Sequence, residues 1–89
     1  MRRVTDYKIA VAFGQVLRKH RKRANLTQEE YADRCEVDRT YASLLERGKR
    51  HPNLELVFTL CHELGVAPST VLKEVERALG GRDRIRGTR

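Results

Sequence analysis

Eighty-nine residues make one small domain and leave no room for a second core. Six glycines, two prolines and few β-branched runs favour an all-helical solution, and a formal net charge of +7 makes an acidic polymer a natural partner. No apolar stretch reaches membrane length, and Met1-Arg2-Arg3 is not followed by the apolar run of a secretory signal.

Five helices are expected along the chain. The first covers about residues 5–24: at about 100° per residue, Ile9, Ala10, Phe13, Val16, Leu17, His20 and Ala24 share one stripe. Lys19, Lys22 and Arg23 point elsewhere, and Asn25 suits the left-handed conformation of a helix end. Residues 28–35 and 39–47 read as two short helices joined by a tight turn, opened by the polar caps Thr27 and Asp38 and closed by Gly48. Asn53 can cap a fourth helix, 54–64, with Leu54, Val57, Leu60, Cys61 and Leu64 inward and Gly65 at its end. A fifth follows Pro68, from about Ser69 to Leu79, with Val71, Leu72, Val75 and Leu79 on one side. Residues 1–79 are thus read as one domain, and 80–89 as a flexible basic tail.

The charge is unevenly placed. Residues 1–23 hold eight Lys/Arg against one Asp, residues 24–47 hold three against six acids, and the last ten add four arginines and one aspartate. A basic excess often means only a solvated surface, but an excess at both termini fits attraction to phosphates. Cys35 and Cys61 show no metal-ligand or redox spacing and read as buried free thiols, which suits a reducing cytoplasm. His20, His51 and His62 lie in separate segments without a nucleophile or a phosphate-cradling glycine loop, so no catalysis, metal or cofactor is expected.

A compact helix pair in a basic chain points to a unit that lays its second helix in the DNA major groove. Periodicity puts Arg39, Thr40, Ser43, Leu44 and Arg47 on one side of that helix, with Tyr41, Ala42 and Leu45 on the other. The first set is left to meet base edges: Arg39 suits guanine, Thr40 and Ser43 suit bases or phosphates, and Leu44 suits a thymine methyl. An ordinary solvated face is the plainer account of the same residues. Thr27 and Gln28 open the first helix of the pair, where free N–H groups can bind phosphate. Thr27 equally fits a capping box with Glu30. Lys49, Arg50 and Asn53 follow the second helix and, with Arg47, could grip the flanking backbone.

These residues resemble the Cro/repressor (XRE) family of helix-turn-helix regulators. The match runs from Phe13-Gly14 and Leu17-Arg18 through Arg21 and Leu26-Thr27-Gln28-Glu29 to Ala32. It continues through Val37, Arg39, Thr40, Ser43, Glu46-Arg47-Gly48, Pro52, Leu54 and Leu64-Gly65-Val66 to Pro68-Ser69. The resemblance implies a compact five-helix, lambda-repressor-like domain that binds operator DNA as a symmetric dimer. It also implies that Gln28 meets a phosphate, that Arg39, Thr40, Ser43 and Leu44 read bases, and that Arg21 pairs with Glu46. Within the family, residues 39–48 are similar to the controller proteins of restriction–modification systems.

Four residues depart from the family pattern. His20 stands where leucine is usual, either as a partnered core histidine or as a pH-sensitive one. Glu36 replaces a turn glycine and should be strained by positive φ. Ala42 is smaller than usual, leaving volume for Tyr41 or Phe58, and Ala67 replaces the cap of the fifth helix.

The sequence therefore predicts a cytoplasmic, homodimeric regulator of a double-stranded, palindromic operator, with Leu56, Phe58, Val71 and Val75 at the dimer contact. No small-molecule effector is evident. An antitoxin or co-regulator acting through a partner protein is the alternative. Arg2, Arg3 and the Arg82–Arg89 tail either clamp DNA or are simply disordered; the sequence leaves both readings open.

Overall fold

A computed structural model describes residues 8–80. Its five helices are α1 (Lys8–Arg23), α2 (Gln28–Cys35), α3 (Arg39–Glu46), α4 (Leu54–Leu64) and α5 (Pro68–Ala78), and no strand occurs among the described residues. The expected start of α1 near residue 5, Arg2, Arg3 and the tail from residue 81 lie outside them.

The four corners between helices close in the same way. Asn25, Glu36, Gly48 and Gly65 each take a positive φ, between 58° and 74°. The next N–H in each case reaches back to the carbonyl five residues before it: Leu26 to Arg21, Val37 to Ala32, Lys49 to Leu44 and Val66 to Cys61, at 2.8–3.2 Å. That pattern satisfies carbonyls a helix end would otherwise leave open. Only Glu36 carries a long side chain in a conformation that favours glycine. On the entry side, Thr27, Asp38 and Asn53 all accept bonds from N–H groups of the first turn, whereas α5 begins on Ala67 with no side-chain cap and Pro68 in its first turn.

The core gathers Phe13, Val16, Leu17, Tyr31, Cys35, Leu45, Val57, Leu60, Cys61, Val71 and Val75. Tyr31 lies inside it and donates its hydroxyl to the Leu60 carbonyl at 2.7 Å, tying α2 to α4. Both cysteines are free and buried, and burial pushes the Cys35 thiol up to about 11 and the Cys61 thiol up as well. They stay protonated and unreactive at neutral pH.

Burial departs from the apolar periodicity at several positions. Val71 and Val75, expected at a dimer contact, are 0% and 5% exposed, because α5 docks on α1 and α4 through that stripe. Leu72, counted on the same side, faces solvent instead. Leu54 is 69% exposed, since the first residue of α4 lies before the helix meets its neighbours, and Phe58 is 56% exposed. Phe58 therefore does not fill the space left by Ala42, whereas Tyr41 does pack against the core. In α1, Ala12 and Arg21 are buried while Ile9 is not, and Ala24, expected on the same stripe, falls just past the helix end and is exposed. With α3 on one side and α5 on another, α1 is covered over a wider arc than a single stripe.

Candidate nucleic-acid interface

The core residues of α3 are Ala42, Leu45 and Glu46, so one side of this helix is fully committed to packing. Arg39, Thr40 and Arg47 are exposed on the other side, with Ser43 and Leu44 half-buried between them. Asp38 holds the entry by accepting the Thr40 N–H at 3.0 Å, which leaves the Thr40 hydroxyl and the Arg39 guanidinium outward. The outward face of α3 carries no exposed acid. Its one carboxylate, Glu46, is turned inward, its side chain 3% exposed.

Glu46 is neutralised where it lies. Arg21 donates Nε to Glu46 Oε2 at 2.5 Å and Nη2 to Oε1 at 3.0 Å, a two-bond fork between planar groups. Its Nη1 goes to the Leu26 carbonyl at 2.7 Å, so the same arginine also anchors the α1–α2 corner. Gln28 Nε2 donates a third bond to Glu46 Oε1 at 3.0 Å. A network spanning α1, α2 and α3 thus fixes the end of one helix against the start of another.

Close backbone approach secures the same junction. A Cβ on Gly14 would lie 2.4 Å from the Leu45 carbonyl oxygen and 2.5 Å from that of Glu46. A Cβ on Gly48 would lie 2.7 Å from the Cα of Val11. Glycine at both positions lets α1 run directly across the end of α3.

At the start of α2 the capping box is complete. Thr27 Oγ1 accepts the Glu30 N–H at 3.0 Å, and Glu30 Oε1 accepts the Thr27 N–H at 2.9 Å. That backbone bond holds the Glu30 carboxyl below its ordinary range. The Thr27 hydroxyl hydrogen and the backbone N–H groups of Gln28 and Glu29 remain open to a phosphate oxygen. Lys49 and Arg50 are exposed just past α3, with Arg50 Nη1 donating to the Lys49 carbonyl at 3.1 Å. Asn53 Oδ1 is occupied as the cap of α4, accepting the Leu56 N–H at 2.7 Å, so only its amide nitrogen is left to donate.

A second charged cluster joins α1 to α5. His20 Nε2 lies 2.8 Å and Lys19 Nζ 3.0 Å from Glu74 Oε1, and together they hold the Glu74 carboxyl below its ordinary range. His20 is a partnered, buried histidine. No group of three or more His, Cys, Asp or Glu poised for a metal occurs among the described residues, and none of their helices is long and apolar enough to cross a membrane.

The structure thus groups Arg39, Thr40, Ser43 and Leu44 on one face and draws Arg21, Glu46 and Gln28 into one network. It keeps Val71 and Val75 away from any surface. The Gln28–Glu46 bond and the Glu74 partner of His20 were not visible in the sequence. They join residues 18 and 54 positions apart, and no local pattern marks such a pairing.

Comparison with known proteins bears on the same region. Residues 17–71 match the helix-turn-helix family model. The control protein C.MunI of a Mycoplasma species is 36% identical over 70 residues, which cover 78% of this chain and 95% of that one. The crystal structure of the clp gene regulator ClgR from Corynebacterium glutamicum superposes with a TM-score of 0.79 at 33% identity, covering 81% of this chain and 77% of ClgR. The restriction–modification controller protein C.AhdI from Aeromonas hydrophila superposes with a TM-score of 0.67 at 35% identity, covering 70% of this chain and 94% of C.AhdI.

Proposed function

The chain belongs to the helix-turn-helix family of Cro/repressor (XRE) type and is a transcriptional regulator homologous to controller proteins. From that premise we propose that it binds a palindromic operator as a homodimer and controls a restriction–modification operon in the cytoplasm. The observation that carries this reading is the division of α3. One side is locked into the core by Ala42, Leu45 and the clamped Glu46, and the other offers Arg39, Thr40, Ser43 and Leu44 with no exposed carboxylate within the helix itself, Asp38 being held at its cap by the Thr40 N–H. Direct readout in the major groove requires such a face, and Arg39 just inside the N-terminus is where a recognition helix enters.

Around that face, Thr27, Gln28, Arg47, Lys49, Arg50 and Asn53 supply phosphate contacts. Such contacts fix register and provide most of the salt-dependent affinity. The exposed acids Glu29, Glu30, Asp33, Glu36 and Asp38 mean that attraction to DNA depends on cations beyond the helix pair itself. The second copy packs against the exposed apolar side chains Leu54, Phe58 and Leu72 of α4 and α5, next to half-buried Leu56.

Selection of bound duplexes from a random pool, followed by sedimentation of the protein with the selected duplex, tests this function. An inverted repeat with half-sites about one helical turn apart, occupied by two chains, is expected. A pool without enrichment, or one chain per duplex, would overturn it. Loss of enrichment together with capture of a specific protein would favour the antitoxin or co-regulator alternative.

A further inference from the structure

The buried network at the end of α3 has a member that remains accessible. Gln28 is half-buried, and its Nε2 donates to Glu46 Oε1 at 3.0 Å, while Arg21 grips both oxygens of the same carboxylate. A carboxylate clamped by a guanidinium can only accept hydrogen bonds. The Gln28 amide must therefore turn its nitrogen towards Glu46, not its carbonyl oxygen. An amide nitrogen carries two hydrogens, so one N–H is used and one remains, with no other partner among the described residues.

We propose that Glu46 is a positioning residue for DNA: it fixes the Gln28 amide so that the free N–H, and not the carbonyl oxygen, is offered to a backbone phosphate. The proposal rests on the DNA-binding reading above and assigns Glu46 a part in it beyond holding α1 to α3. Arg21 acts one step further back, because its bond to the Leu26 carbonyl keeps the carboxylate from following the amide outward. Replacing Glu46 by glutamine puts a group there that both donates and accepts. The Gln28 amide is then free to turn over, and one of its two orientations aims a lone pair at the phosphate. Preorganising one long side chain is worth about a two- to tenfold change in affinity.

The test is a double-mutant cycle in affinity for the duplex recovered by the selection above, using wild type, Gln28→Ala, Glu46→Gln and the double variant. Each single change should weaken binding by about two- to tenfold, and Glu46→Gln should have no further effect once Gln28 is alanine. An equal loss from Glu46→Gln in both backgrounds means a purely structural role and overturns the proposal. Glu46→Gln also leaves Arg21 short of a counter-charge and can unfold the chain, so the wild-type protein supplies a second readout. In NMR spectra, one Gln28 side-chain amide hydrogen should be protected by Glu46 both free and on DNA, while the other shifts when the duplex is added. Release of both hydrogens from Glu46 on binding, or a shift of neither, refutes it. Failure of the selection to yield any duplex removes the DNA reading itself, and this proposal with it.

Discussion

Gly14→Ala should destabilise this protein, although alanine is the better residue in a helix interior by about 0.5–1 kcal/mol. The new methyl would land 2.4 Å from the Leu45 carbonyl oxygen, 2.5 Å from the Glu46 carbonyl oxygen and 2.8 Å from its carbonyl carbon. Ordinary contact begins near 3.4 Å, so α1 and the end of α3 would have to part by about 1 Å. All three obstructing atoms are main chain, and no rotamer change can move them aside. Overpacking typically costs roughly 1–3 kcal/mol, and an immovable neighbour puts this site at the upper end. Less the gain in propensity, the net loss is about 2 kcal/mol. At about 4–8 °C per kcal/mol for a domain of this size, Tm should fall by about 8–16 °C. Thermal and urea unfolding followed by circular dichroism would measure it. Gly65→Ala is the control: its φ is +71° but nothing lies within 4 Å of the added carbon, so only the left-handed penalty of roughly 1–2 kcal/mol applies. A Gly14→Ala protein as stable as wild type would refute the close approach of α1 to α3, and with it the account of how α3 is held.

Two further outcomes follow from other parts of the fold. Glu36→Gly should raise stability by about 0.5–1 kcal/mol, because φ of 58° strains glutamate and not glycine; an unchanged or lower urea midpoint would contradict this. The Glu74 carboxyl is held low by the bonds from Lys19 and then His20, so its folded pKa lies below the unfolded value. Its stabilisation is complete above that unfolded value, near 4.5, and is lost as the pH falls through the folded one. Wild type should therefore exceed Glu74→Gln in stability at pH 7 and converge with it in acid, whereas parallel pH profiles would contradict the assignment.

The helix pair was legible because its signals are local. Thr27, Asp38 and Asn53 cap the helices they precede, and Gly48 and Gly65 end the ones they follow, all by bonds within a few residues. The split of α3 was legible for the same reason, since Ala42 and Leu45 recur at helical spacing. What failed was depth. Val71 and Leu72 look alike in a pattern of apolar residues, yet one is fully buried and the other 44% exposed, and only the approach of α1 and α4 decides which. Long-range polar pairing was equally hidden: the sequence contains His20 and Glu74, or Gln28 and Glu46, but not the packing that brings their atoms within 3 Å.

On the proposed function, the outward face of α3 chooses the DNA while the flanking cations set how tightly it is held. Binding of Arg39→Ala and of Lys49→Ala to the selected duplex and to a scrambled one, over a range of salt concentrations, tests it most directly. Arg39→Ala should lose about 1–3 kcal/mol of preference for the selected duplex. Lys49→Ala should weaken both duplexes alike and reduce the salt slope by about 0.9. An Arg39→Ala protein that keeps its full preference would contradict the claim.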